Sequence, residues 1–355
     1  MTILPPLRIG KHIAPYPIIQ GAMGGRVSGA NLASAVANAG GMGIISAVGL
    51  GLNSPYFKKR KLFEANRLAL IDEIQKARQL SPQGILGINA MVSAKDYATL
   101  VRTGAESGID LIISGAGIPL KLPEYTTNYP DVALVPIISN LRAAKVICRQ
   151  WEKQYNRLPD ALVVKNPHQV GGHLGTESDK LGNNNLNAEQ VIPELLDYLD
   201  SEVGEDIPLI AAGGIWERSD INIVLSLGAK GVQIGTRFIT TNECDADPRL
   251  KEFHLQASGE DLVIVPSPVG MLGRVIHNPF AQKVIAGDPD LEKRCIANCL
   301  ESCQCRDHKQ TYCLIQALDK AARGDVENGL IFAGSSAGRA KKILSVAELM
   351  QELTS

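Results

Sequence analysis

The sequence lacks an excess of either charge, with 36 basic and 37 acidic residues in a chain of 355. That balance excludes an extended basic surface of the kind that neutralises a polyanion, so no nucleic-acid partner is expected. The basic run Lys58-Lys59-Arg60-Lys61 is short and isolated, and reads as the solvated start of a helix. Also missing is any stretch near the ~18 apolar residues that a membrane-spanning helix requires. The opening residues, MTILPPLRIGKH, lack the basic-then-apolar layout of a secretory leader. A cytoplasmic protein with no membrane partner is therefore expected. There is no G-x-G-x-x-G after an early strand, which counts against an open doubly wound dinucleotide fold. H-E-x-x-H is absent, no paired carboxylates for glycosidic chemistry are evident, and low complexity is confined to the asparagines at 183–185.

What is present is a rhythm. Apolar residues make up 45% of the chain. Short runs rich in Val and Ile occupy residues 16–23, 42–47, 85–90, 111–116, 133–138, 161–166, 208–213 and 231–236. They do not alternate with polar residues, which is the signature of strands buried on both faces in a parallel sheet. Helical patterns intervene at 29–39, 62–80, 94–107, 141–155, 188–203 and 218–227. Eight strand–helix units in this length predict a closed (β/α)₈ TIM barrel. After the eighth strand the rhythm breaks. Residues 245–330 read as a Cys-rich insertion at the barrel mouth, followed by a strand-like turn at 330–334 and a final helix at 337–353. The expected division is therefore a barrel of residues 1–244 and 331–355 and an insertion of residues 245–330.

Glycines crowd the ends of the proposed strands: Gly21, Gly24 and Gly25 after the first, Gly115 and Gly117 after the fourth, Gly171 and Gly172 after the sixth. Gly213 and Gly214 follow the seventh, and Gly235 the eighth. Without a Cβ, backbone amides there can approach a ligand closely. The loops after strands seven and eight are the usual phosphate site of this fold. Several such loops at one face predict a phosphate-bearing cofactor, although spacing alone does not say which. His173 follows two of these glycines, where a neutral imidazole can take a proton from an acidified C–H; His168 is a weaker candidate. Gly334-Ser335-Ser336-Ala337-Gly338 matches a hydrolase elbow, but no histidine follows Ser336 to complete a triad. A glycine-rich turn near the cofactor suits it better.

Five of the seven cysteines fall between 295 and 313, spaced Cys295-x₃-Cys299-x₃-Cys303-x-Cys305-x₇-Cys313. In a reducing compartment clustered cysteines are metal ligands more often than disulfides, and this many thiolates suit zinc or an iron–sulfur cluster. Cys148 and Cys244 stand apart and read as core.

The glycine pattern, Gly171-Gly172-His173 and the Ala212-Gly213-Gly214 / Gly235-Thr236 pair resemble the nitronate monooxygenase (2-nitropropane dioxygenase-like) family of FMN barrels, which also contains flavin-dependent enoyl-carrier-protein reductases. The Cys segment is unlike ordinary members. It is similar to the branch of decanoyl-acyl-carrier-protein dehydrogenase/isomerases that hold FMN and a 4Fe–4S cluster. The likeness extends to residues 46–49, 211–216, 242–245 and 267–270 and to Tyr312-Cys313. The resemblance implies FMN contacts from Gly21, Ala22, Met23, Gly24, Asn89, Lys165, Gly171, Gly172, Ala212, Gly213, Gly214, Gln233, Gly235 and Thr236. In that set Gly214, Gly235 and Thr236 would meet the phosphate, and Ala22, Met23 and Asn89 the ring. It gives His173 the role of catalytic base, and makes Cys295, Cys299, Cys303 and Cys313 the cluster ligands. Cys305 departs from the pattern and competes with Cys303 for the third place. The implied activity is dehydrogenation or isomerisation of an acyl thioester on an acyl carrier protein or coenzyme A. Oxidation of alkyl nitronates with O₂ is the alternative, and a homodimer is left open.

Overall fold

A computed structural model describes residues 3–57, 62–175 and 186–355. The basic run at 58–61 and the asparagines at 183–185 lie outside the described residues. An antiparallel hairpin, β1 (Leu7–Ile9) and β2 (His12–Ala14), precedes the barrel. The barrel strands are β3 (Ile18–Gln20), β4 (Met42–Ser46), β5 (Ile85–Met91), β6 (Leu111–Gly115), β7 (Ala133–Ile138) and β8 (Leu162–Lys165), completed by β10 (Leu209–Ala212) and β11 (Gly231–Ile234). All pair in parallel, and β10 bonds to both β8 and β11 while β11 bonds to β3, so the sheet closes. Between β8 and β10 lies the short β9 (Gly172–His173). The TIM barrel expected from the sequence is therefore the fold.

The physical reason the strands do not alternate polar and apolar is visible in where their side chains go. Ile19, Ile44, Ile113, Val135, Val163 and Ile210 point inward and pack on one another. Their neighbours Ile18, Ile45, Ile112, Leu134, Val164 and Ala211 point outward into a second core beneath the helices. Both faces of each strand are dry, so both must be apolar. The hairpin β1–β2, which the sequence reading passed over, inserts Leu7, Ile9 and Ala14 into the inner core.

The outer layer comprises α1 (Ala30–Asn38), α2 (Leu62–Leu80), α3 (Tyr97–Glu106), the short α4 (Leu122–Tyr125), α5 (Leu141–Tyr155), α6 (Ala188–Tyr198) and α7 (Arg218–Ser226). Local sequence sets several of the ends. Asn140 caps α5 by accepting from the Ala143 amide at 2.9 Å, and Asn187 caps α6 through the Gln190 amide at 3.0 Å. The start of α1 is different, because its cap comes from far along the chain. Asp245 accepts from the amides of Gly29, Asn31 and Leu32 at 2.9, 3.2 and 3.1 Å. Helix α3 begins later than the periodicity suggested, at Tyr97.

Beyond β11 come the one-turn α8 (Thr236–Ile239) and α9 (Pro248–Gln256), followed by the antiparallel pair β12 (Leu262–Pro266) and β13 (Leu272–Ile276). Strand β13 also pairs with β9, so the segment after β11 contributes two strands of a three-stranded sheet that grips the loop after β8. Then follow α10 (Pro279–Ala286), α11 (Gln304–His308), α12 (Leu314–Ala322) and α13 (Val346–Thr354). Two expectations need correction. The strand-like turn expected at 330–334 forms no regular strand, and Phe332 makes an isolated antiparallel bridge to Val275 of β13. The last helix starts at Val346, not 337, because Ser345 and Glu348 form a capping box there, while Gly338 upstream has φ +87°.

Candidate functional site

The C-terminal ends of the barrel strands open into a cavity of about 500 Å³, within the range of small-molecule sites. Every residue that the sequence pointed to as a cofactor contact lies on its wall. The loop after β3 supplies Gly21, Ala22, Met23 and Gly24; β5 supplies Asn89; β8 supplies Lys165; the β8–β9 loop supplies Gly171 and Gly172. Ala212, Gly213 and Gly214 enter from the end of β10, and Gln233, Gly235 and Thr236 from the end of β11. His173 lies on the same wall.

Backbone geometry explains two of the glycines. Gly213 and Gly214 both have left-handed φ, +110° and +78°, and a Cβ on Gly213 would stand 2.8 Å from Val170 Cγ1. At Gly235 an added Cβ would have only Met23 Sδ within 4 Å, at 3.6 Å, so the side of the backbone where a side chain would stand is open to the cavity. The turn at 334–336 completes this side. The Gly334 amide donates to Thr236 Oγ1 at 2.8 Å, the Ser335 amide to Gln169 O at 2.8 Å, and the Ser336 hydroxyl to Gly214 O at 3.3 Å. Ser336 is thus tied to the glycine cradle. The sequence pointed to this glycine-rich turn, and the structure places Gly334 and Ser336 on the cavity wall; the role of Gln169 was not legible, because it depends on a contact with a segment more than a hundred residues away.

His173 is held from three directions. Its backbone pairs with Gly273 of β13. Its Nε2 lies 2.7 Å from the Ser267 hydroxyl, and its ring meets Phe332 edge-on at 5.2 Å. The Lys165 ammonium donates to the His173 carbonyl, and Arg274 of β13 donates to the carbonyls of Val170 and Pro167, stapling the loop between β8 and β9. Burial, and secondarily the Lys165 charge, push the His173 imidazole down to about 3, so it is neutral at any ordinary pH. Burial, helped by Arg274, brings Lys165 down to about 8. His168 is not on the cavity wall; its amide donates to Asn166 Oδ1 at 3.0 Å. His254 of α9 also lines the cavity, and its buried Nε2 has no partner among the described residues.

The chemistry of the wall suits a flavin. The Gln233 amide nitrogen is buried on the cavity wall without a hydrogen-bond partner among the described residues. A buried orphan donor is destabilising unless something fills the space in front of it. Together with the open Gly235 cradle it fits a ligand with polar ring atoms and a phosphate.

The cysteines lie away from this wall. Cys295, Cys299, Cys303, Cys305 and Cys313 pack into one cluster within the insertion, with Cys303, Cys305 and Cys313 buried. The segment is pinned to the loop after β5, where the Lys95 amide donates to Cys299 O and the Glu301 amide to Ser93 O, both at 2.9 Å. Burial raises the Cys299 thiol, and the nearby Cys313, Cys295 and Cys303 push it further the same way. Among the described residues, no three His, Cys, Asp or Glu side chains are gathered closely enough to hold a metal ion as they stand. Nor is any helix among them long and apolar enough to cross a membrane.

Comparison with known proteins agrees with the barrel and with this site. The family model described as nitronate monooxygenase matches residues 6–355. A Mycobacterium tuberculosis protein named (3aS,4S,5R,7aS)-5-hydroxy-7a-methyl-1-oxo-octahydro-1H-indene-4-carboxyl-CoA dehydrogenase is 27% identical over 272 residues, 77% of this chain and 66% of that protein, just under two thirds of its length. A probable nitronate monooxygenase of Staphylococcus aureus is 28% identical over 322 residues, with 81% of this chain and 82% of that one covered. Among solved structures, FabK from Thermotoga maritima superposes with a TM-score of 0.72 at 25% identity, covering 95% of this chain and 91% of that one. A nitroalkane oxidase from Streptomyces ansochromogenes shares the fold at a TM-score of 0.70 and 19% identity, covering 96% and 95%. With a family match spanning nearly its whole length and the strand-end glycines gathered on one cavity, the chain belongs to the nitronate monooxygenase family and is a flavin-dependent oxidoreductase.

Proposed function

We propose that the protein binds FMN in the strand-end cavity and dehydrogenates or isomerises an acyl thioester, with His173 as the base. The observation that carries this reading is the placement of a neutral imidazole on the wall of that cavity. FMN, when bound, supplies a hydride acceptor. The glycine amides at 214 and 235 and Thr236 would hold its phosphate; Ala22, Met23, Asn89 and Gln233 would face its ring. Leu314, Leu318, Ala321, Leu330 and Ile331 give the cavity an apolar wall suited to an acyl chain. His173 would remove the proton α to the thioester carbonyl. The imidazolium so formed is disfavoured by burial and by Lys165, so the proton is readily returned, which suits a carrier that can deliver it to a different carbon. The relative named as a carboxyl-CoA dehydrogenase supports a thioester substrate, on coenzyme A or on an acyl carrier protein.

The Cys segment supports a 4Fe–4S cluster on Cys295, Cys299, Cys303 and Cys313. The donor set is thiol-rich, and burial first, with neighbouring thiols adding to it, holds the Cys299 and Cys313 thiols up, an opposition to ionisation that bound cationic iron would relieve. The relatives named as nitronate monooxygenases favour a second reading, oxidation of alkyl nitronates by O₂. One mutant separates the two. A thioester α C–H is weakly acidic and needs a positioned base, worth about 10²–10⁴-fold. His173→Ala should therefore fail to reduce flavin anaerobically with a saturated acyl thioester while keeping most nitronate oxidation, since a nitronate is already an anion. A wild type that ignores every acyl thioester and oxidises nitronates well would establish the second reading.

A further inference from the structure

Residues 245–330 give the cavity a wall that is apolar with one exception. Among the described residues the side chains they contribute are Leu250, Met271, Leu314, Leu318, Ala321 and Leu330, and then His254. Leu250 and His254 are one helical turn apart on α9, so a single face of that helix carries both to the cavity. Leu250 packs in an apolar cluster with Ile239, Ala321 and Ile331, which line the cavity as well. His254 is 2% exposed, and its Nε2 is buried without a hydrogen-bond partner among the described residues.

Alkyl neighbours neither donate nor accept, so nothing in this lobe relieves that nitrogen. A buried polar atom left unpaired is destabilising, and leucine at 254 would cover the same helix face without that cost. An apolar lobe shaped for a plain alkyl chain has no use for the imidazole. The chemistry of the ring says what would satisfy it. Burial brings His254 down to about 4, so it is neutral near pH 7, with one nitrogen a donor and the other an acceptor. A neutral ring has no charge to offer an anion, and an ammonium group would itself lie unpaired among the alkyl side chains. A neutral oxygen remains. A hydroxyl satisfies Nε2 whichever nitrogen carries the proton, and a keto oxygen accepts from Nε2–H.

We propose that His254 is a specificity-determining residue that hydrogen-bonds an oxygen function, a hydroxyl or a keto group, on the hydrocarbon portion of the substrate. This rests on the apolar wall receiving the acyl chain, as proposed above. It narrows the thioester class to acyl chains that carry oxygen beyond the α and β carbons. The two imidazoles on the wall then have separate tasks. His173, tied to Ser267 at 2.7 Å, meets the reacting carbons, and His254 reads the chain.

The test is anaerobic flavin reduction in the holoprotein by octanoyl-CoA and by its hydroxy and keto derivatives, substituted at successive carbons from the fourth outward. Wild type should prefer at least one oxygenated chain over octanoyl-CoA by about 5- to 100-fold in kcat/KM, because the plain chain leaves the imidazole unpaired. His254→Leu should erase that preference, leave octanoyl-CoA turned over at least as well, and bind FMN as wild type does. His254→Gln, which keeps a donor and an acceptor, should retain part of the preference. A wild type that turns over octanoyl-CoA as well as every oxygenated chain would overturn the proposal and leave the imidazole to a trapped water, and this holds even if a variant fails to fold. A preference that survives in His254→Leu would overturn it too, since the oxygen would be read elsewhere. So would weaker FMN binding in His254→Leu, which would give the imidazole to the cofactor. Failure of the thioester reading looks different, because no acyl-CoA, plain or oxygenated, would then reduce the flavin. The same comparison is then made with the nitronate of nitrooctane and its hydroxylated counterparts. A preference for a hydroxylated nitronate that His254→Leu abolishes keeps the role of His254 and removes the thioester alone, and no preference removes both.

Discussion

Replacing Gln233 with leucine should stabilise the protein without flavin and weaken its grip on flavin. Leucine has nearly the volume of glutamine and removes the amide nitrogen that lies buried and unpartnered on the cavity wall. A buried donor without a partner costs about 1–3 kcal/mol, and deleting the group removes that penalty. The flavin-free variant should therefore unfold later in denaturant by an amount in that range, or melt a few degrees higher, at no more than about 2–4 °C per kcal/mol in a domain of this size. If FMN fills the space before Gln233, the same amide is satisfied in the complex, and its loss should lower affinity about 5- to 100-fold. Urea unfolding of the flavin-free protein gives the first quantity, and quenching of FMN fluorescence on titration gives the second. Stability and affinity must move in opposite directions. An apoprotein no more stable than wild type would show that the amide is not an orphan. Unchanged FMN affinity would show that the flavin does not reach this side of β11.

Asp245→Ala should expose three amides at the start of α1 that have no other cap, a loss of about 2–4 kcal/mol readable as a lower urea midpoint, with Asp245→Asn losing less. Acid should weaken the fold before the carboxylates titrate. Burial holds His254 down to about 4 against 6.5 in the unfolded chain, so the unfolded state takes up a proton first as pH falls. Of the stability present above pH 6.5, His254 should contribute a decline of up to about 3 kcal/mol toward pH 4, with His173 adding to it over the same window, so His254→Phe should remove part of that slope and not all of it. Purified without oxygen, the protein should carry about four irons and four sulfides. Serine at Cys295, Cys299 or Cys313 should remove or destabilise them and serine at Cys305 should not; stoichiometric zinc without iron would refute the cluster.

The barrel was legible because its cause is local and repeated. Strands dry on both faces must be apolar at successive positions, so Ile18-Ile19, Ile44-Ile45 and Ile112-Ile113 announce a covered parallel sheet without any knowledge of contacts. The strand-end glycines were legible for a related reason, since the fold places every βα loop at one mouth, and naming those loops already names the cavity wall. His173 stood out by following Gly171 and Gly172. What the tertiary structure decided are pairings between distant segments, for which the chain carries no periodic signal. The cap on α1 comes from Asp245, more than two hundred residues downstream, and the partner of His173 is Ser267, delivered by a hairpin of the insertion. The stretch at 330–334 has the composition of a strand, yet the barrel had already closed through β3, β10 and β11, so it bridges Val275 instead. Nothing in the sequence around His254 marked it as part of the site, because its burial on the cavity wall depends on where α9 packs. Composition and period report what each segment must hide; only the closed fold determines which segments hide it from water together.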